Sequence, residues 1–380
     1  MEKNPVKHIS LRGMACFLLL SLLFISCNQD HIFFKISTAV EPREPRIKGV
    51  PTNFVRFPPL TGDVYVANLS ALYRYDGGWS NPPNPGGEIK ALAATNTYLY
   101  ALTSSGLHRF NGTFWAGVSI TYGSGAAYFS LQSIYGAGDA VFVSGWNRAD
   151  DPNQKDKFAI FYVADSGTAG LAKAGTARLT GAVKSGTEYY LSTNGAGIYY
   201  LSSLTATPQS VTGGGSEIMG LIKAGTDVVA VARNGDILRV TTTTATKEAS
   251  TGQIMTGAIA LWKNLDDPTQ NLLLLGIMPP IGYSGTTYGY REIVLSNSGN
   301  LPGNPTQQKP GTGDFSSIET GGEDKYDTTI GSRPVNHLFQ APDGTLFAAV
   351  QGTGTSRKET NSGVWSYRSR DGEWQWNAEE

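Results

Sequence analysis

One phrase recurs along this 380-residue chain, and its recurrence constrains the fold more than any other feature. "LSALYRYDGGWS" begins at Leu69, "SSGLHRFNGTFW" at Ser104, "NGAGIYYLSSLTAT" at Asn194 and "NGDILRVTTTTAT" at Asn234. Looser copies are "DKFAIFYVADSGTAG" from Asp156, "YREIVLSNSGN" from Tyr290 and "NSGVWSYRSRDGEWQW" from Asn361, which makes seven. Each copy has a short run of alternating hydrophobicity, a turn and a second run, the pattern of two antiparallel strands. Asp76-Gly77, Asn111-Gly112 and Asp371-Gly372 fit the turns because these residue types accept positive φ.

A second pair of apolar stretches precedes most copies: "EIKALAATNTYLYALTS", "ARLTGAVKSGTEYYLST", "EIMGLIKAGTDVVAVAR" and "PVNHLFQAPDGTLFAAVQ". The unit therefore has four strands, and seven units over residues 50–377 take about 47 residues each, the size of a propeller blade. A single blade exposes two apolar faces, and radial packing buries both. The expected fold is all-β, a seven-bladed β-propeller of four-stranded antiparallel blades. Composition agrees: charged residues are 16 %, against roughly 25 % in an ordinary soluble domain, and glycine reaches 46 residues. No stretch after residue 30 sustains helical periodicity over a dozen residues without Gly or Pro.

Trp79, Phe114, Trp115, Trp374 and Trp376 begin or fill the fourth strands. Aromatic rings at one place in a repeat are expected to pack between blades rather than to stack on sugars. "GLHRFNG" and "LYRYDGGW" resemble the propeller repeats in sensor domains of two-component regulators and related extracytoplasmic proteins. That resemblance implies a propeller outside the cytoplasm and no particular chemistry.

The first residues read as an address. Lys3, Lys7 and Arg12 precede the apolar run "ACFLLLSLLFI" at 15–25, which is too short for the roughly 20 residues of a membrane-spanning helix and suits a secretory signal. Cys27 follows small Ser26 and precedes polar "NQD". This resembles the lipobox of bacterial lipoproteins, with Phe24 in place of the usual Leu as in the relaxed lipoboxes of spirochaetes. The resemblance implies acylation of Cys27, whereas an ordinary signal cut nearby would leave a free thiol. The expected organisation is a signal peptide at 1–26, a lipidated tether at 27–49 and the propeller at 50–380. "HIFFKIST", residues 31–38, is strand-like and either joins a blade edge to lock the ring or belongs to the tether. Cys16 leaves with the leader, so the mature chain has no disulfide and depends on its core alone. Loss of Glu2, Lys3, Lys7 and Arg12 leaves 27 basic against 30 acidic residues, and a net charge of −3 argues against nucleic acid as a partner.

Function is expected where the repeat is broken, because loops carry it on a repeat scaffold. Between second and third strands the insertions are 146–156 in blade three, 278–289 in blade six and 351–362 in blade seven. The longest break, 300–334, joins blades six and seven. All four should emerge on one face, with Trp146, Asp150, Asp151, Tyr283, Tyr288, Glu323, Asp324, Asp327, Arg357 and Lys358 as candidate binding residues. "KNLDDPTQ" at 263–270 should emerge on the opposite face.

Catalytic signals are weak. His31, His108 and His337 show no metal-ligand spacing, and no cysteine is free to complete a zinc site. His337, on the first strand of blade seven, is the candidate channel residue. Nucleophile-elbow and phosphate-loop motifs are absent, and "GGEDKYD" lacks the spacing of an EF-hand calcium loop. No metal, cofactor or catalytic residue is therefore assigned. The sequence points to a lipid-anchored envelope propeller that binds or scaffolds another envelope protein, attached to a membrane through its N-terminal lipid. The alternative is a carbohydrate- or small-ligand-binding protein, or a hydrolase or lyase, acting at the channel mouth.

Overall fold

Every strand of the computed structural model falls into one of seven four-stranded antiparallel sheets, each built from four strands consecutive in sequence. The structure describes residues 47, 51–58, 62–120, 129–147, 158–265, 267–278, 289–308, 334–351, 363–367 and 374–376. The chain is a seven-bladed β-propeller. The first strands of the blades are Val55–Phe57, Ile89–Ala94, Phe129–Ala137, Arg178–Ser185, Ile218–Ala224, Met255–Lys263 and Val335–Gln340.

The recurring phrase is the outer half of each blade. "ALYRY" and "GLHRF" are third strands, Ala71–Tyr75 and Gly106–Phe110, each with its second and fifth residues buried. Gly77 and Gly112 turn the chain at φ of 100° and 97°, which a side chain disfavours. The second strands lie deepest: all five residues of Leu99–Thr103 and of Leu346–Val350 are buried. Sheets covered on both faces need such continuous apolar runs, and a propeller blade is covered on both.

The core is divided by junction. Seven hydrophobic clusters each draw from two neighbouring blades, one at every junction of the ring. Burying apolar surface at ~25 cal/mol per Å² is thus what holds blade to blade. The junction of blades seven and one centres on Phe347, which stacks on Phe54 at 5.8 Å and meets Tyr75 at 4.9 Å and Trp79 at 5.2 Å. The Tyr75 hydroxyl donates to Asp343 Oδ2 across the same junction at 2.9 Å. Blades one and seven keep their own four strands, so packing and this hydrogen bond close the ring among the described residues, without strand exchange. Residues 31–38 lie outside them.

Two differences from the sequence reading concern outer parts. Residues 300–308 belong to blade six rather than to the break after it: Leu301 is buried in the junction of blades five and six, and Gln307–Gln308 is the fourth strand. Phe114 sits in the turn ahead of its fourth strand and is 61 % exposed, so it does not pack between blades. Trp79 and Trp115 do pack, Trp115 stacking on Phe110 at 5.1 Å and donating its indole N–H to the Pro83 carbonyl at 2.9 Å.

Candidate functional site

The first strands surround the axis of the ring, and in six of them the ladder to the second strand slips near the start. Lys90, Gln132, Thr180, Met219 and Asn336 are each a single extra residue opposite no partner, and in blade six the slip spans 256–258. A bulge pulls its residue out of the pleat and re-aims its side chain. A small residue follows the single extra one in four of these five, Ala91, Ser133, Gly181 and Gly220, and Gly257 lies within the slip of blade six. The reason is close approach of the neighbouring strand. A Cβ on Gly181 would stand 2.7 Å from the Leu221 backbone nitrogen.

Side chains on or beside the inner strands tie one blade to the next at four junctions. The Ser133 hydroxyl donates to the Leu179 carbonyl at 2.9 Å, Thr180 to that of Ile218 at 2.7 Å and Thr256 to that of Val335 at 2.5 Å. Asn53 pairs with both backbone groups of Leu92, donating at 2.6 Å and accepting at 2.9 Å. These four junctions therefore fix the width of the channel.

The channel opens into a cavity of about 350 Å³ with lining residues from all seven blades. Lys90 of blade two, Gln132 of blade three and Arg178 of blade four form one arc, while Leu221 and Ile259 of blades five and six face it from the rest of the ring. His337 lies beside Leu338 in the lining. Burial pushes its imidazole down to about 4, so the ring is neutral at pH 7. Burial also pushes the Tyr135 hydroxyl up, with Arg178 opposing the shift. The described lining contains no Asp or Glu. Glu217, just upstream of the first strand of blade five, is outside it and pairs with Arg233 at 3.7 Å.

Strand direction places the starts of first strands and the ends of second strands on one face of the ring. Four of the six exposed large hydrophobic residues among those described lie there: Leu69 (68 %), Ile254 (49 %), Met278 (47 %) and Trp146 (38 %). Ile254 and Met278 are neighbours, the Met278 N–H donating to the Ile254 carbonyl at 2.8 Å. Phe114 and Leu265 occupy turns on the opposite face.

No family model matches the sequence, and no curated protein matches it. Solved structures do. At 12 % identity and a TM-score of 0.51, the chain is similar over 84 % of its length to the extracellular domain of a B. thetaiotaomicron protein described as a one-component system, spanning 38 % of that chain. A second B. thetaiotaomicron extracellular domain, from a hybrid two-component system, matches 87 % of this chain at 12 % identity and a TM-score of 0.50, with 40 % of its own length covered. A chain in the mitotic checkpoint complex matches 81 % at 11 % identity and a TM-score of 0.51, with 93 % of its length covered. The likeness is one of fold.

Of the residues proposed for lipidation, the binding face and the channel, two are among those described. His337 is among the residues lining the cavity. Trp146 is the penultimate residue of the second strand of blade three, Ala140–Asn147, and stacks on Phe158, its partner across the strand pair, at 6.3 Å and 18°. Cys27, Asp150, Asp151, Tyr283, Tyr288, Glu323, Asp324, Asp327, Arg357 and Lys358 lie outside the described residues. The strand ends flanking 148–157, 279–288, 309–333 and 352–362 all reach the face that carries Trp146. The channel cations Lys90 and Arg178 were not singled out. The signal for Lys90 is positional: "IKA", "LTG", "IMG" and "MTG" share an apolar residue, a variable residue and a small one at the head of the inner strand, and Lys90 is the variable residue of the first, whereas Arg178 stands one residue ahead of "LTG".

Among the described residues no three His, Cys, Asp or Glu side chains gather into a metal-holding group. His108, on the third strand of blade two, meets the Ser105 hydroxyl at 3.2 Å through Nε2.

Proposed function

We propose that this chain is a lipid-anchored, extracytoplasmic propeller that binds a protein of the cell envelope through the face carrying Leu69, Trp146, Ile254 and Met278. The observation that carries the reading is that four of the six exposed large hydrophobic side chains among those described lie on that face, Ile254 and Met278 side by side. Scattered exposed apolar residues are ordinary, so it is the adjacent pair Ile254 and Met278 that suits a partner-binding site. Support for the address comes from the leader and Cys27. Propellers of this fold occur both as extracellular domains and within a protein assembly, which is in keeping with the reading.

The test is site-specific photocrosslinking in intact cells. A crosslinker at Leu69 or Met278 is expected to trap one recurring envelope protein, and a crosslinker at Phe114 or Leu265, on the other face, is expected not to. Ile254→Asp should abolish the first product. Equal labelling from both faces, or none from either, would overturn the proposal. The hydrolase or lyase alternative calls for convergent carboxylates at the channel mouth, and the described lining has none.

A further inference from the structure

We propose that the central channel binds a small organic anion, a carboxylate whose head group is held by Lys90 and Arg178 and whose apolar body rests on Leu221 and Ile259. The site goes beyond the partner-binding face and does not depend on it. Lys90 and Arg178 stand on the two blades that flank blade three, with Gln132 of blade three in the arc between them. The bulges at Lys90 and Gln132 put both side chains at the same level of the channel.

Neither cation is neutralised by a carboxylate of the described residues. Lys90 makes no ion pair there, and the hydrogen bond of Arg178 is a 3.5 Å contact with the Gln132 carbonyl. The Gln132 amide spends one of its two donors on Ser130 at 3.1 Å and keeps the other. A cleft lined by one sign of charge with low-dielectric walls focuses that potential on whatever enters. A guanidinium presents a planar fork that matches a carboxylate, and a lysine adds a second charge. The remainder of the ring selects the body of the ligand. Leu221 and Ile259 are half-buried and present apolar surface from blades five and six, opposite the cations, while Leu338 is packed into the junction of blades six and seven. A volume of about 350 Å³ is within the range of small-molecule sites and excludes a folded chain. Neutral His337 contributes one donor and one acceptor without adding charge.

Hexanoate and its uncharged match hexanamide are the probes, titrated calorimetrically into the full-length chain in detergent. Hexanoate is expected to bind at least about tenfold more tightly than hexanamide. The variant Lys90→Gln/Arg178→Gln should lose that preference, while Arg178→Lys should keep most of it because the charge remains. Both side chains are exposed, so circular dichroism and the melting temperature should match those of the parent protein. A second readout is the His337 titration, followed by NMR and assigned with His337→Asn: a bound carboxylate should raise its midpoint. Equal binding of hexanoate and hexanamide, or unchanged binding in the double variant, would overturn the site. A peptide that bound through its C-terminal carboxylate while hexanoate did not would overturn its assignment to a free small anion.

Discussion

Phe347→Ala tests how the ring is closed. Phe347 is 1 % exposed and touches three rings, Phe54, Tyr75 and Trp79, of which all belong to blade one or its approach. Removing a buried phenyl group costs about 3–5 kcal/mol through lost transfer energy and the cavity left behind. Each aromatic pair adds about 0.5–1.5 kcal/mol beyond area. The matched control is Phe142→Ala at the junction of blades three and four, where an equally buried phenyl meets one ring, Tyr189, at 5.7 Å. Phe347→Ala is therefore expected to cost about 5 kcal/mol and Phe142→Ala about 3–4 kcal/mol. Urea unfolding followed by far-UV circular dichroism measures both, with stability taken from the midpoint and slope. The closing junction should also become the first site of limited proteolysis in Phe347→Ala. Equal losses for the two variants, or cleavage elsewhere first, would refute the claim that the aromatic cluster closes the ring.

Three further outcomes follow from individual residues. His337 has a folded-state pKa of about 4 against an unfolded value near 6.5, so the unfolded chain takes up a proton first as pH falls; stability should be full above pH 6.5, decline between 6.5 and 4 by no more than about 3 kcal/mol, and lose that dependence in His337→Gln. Gly181→Ala drives a methyl group to 2.7 Å from the Leu221 nitrogen and should cost about 1–3 kcal/mol in the same denaturation assay, whereas Gly117→Ala, with open space around its Cβ, should change stability by under about 0.5 kcal/mol. Cys27→Ser should move the protein from the detergent phase to the aqueous phase in detergent partitioning and abolish fatty-acid labelling; continued labelling would refute acylation at that position.

Turn residues made the blades legible. Asp76-Gly77 and Asn111-Gly112 punctuate hairpins whose flanking residues alternate, and both features survive in sequence because both are local. The fourth strand of blade six was not legible, since Gln307–Gln308 has two residues, no alternation and Pro302 and Pro305 just ahead of it. Phe114 looked like its neighbour Trp115, yet one residue of offset at a turn sends one ring to solvent and the other onto Phe110. The channel site was hidden for a different reason. A lone Lys90 or Arg178 at the head of a strand reads as a solvated end, and only ring closure brings residues from separate blades to one opening. His337 was legible because it is a histidine on an inner strand; its environment was not, because burial is a property of the closed ring.

The seven junction clusters carry one more consequence. In a linear array of repeats, the end units have one neighbour each and fray first. Here blade one and blade seven are each other's neighbours through Phe347 and Tyr75, so the array has no ends in space even though the chain has them. Opening any single junction leaves every blade still held on one side at least, and the opened ring can reclose without any blade having lost its own sheet. Covalent order is then a secondary matter: a chain started at a different blade, with 51 and 376 joined by a linker, would assemble the same circle of contacts.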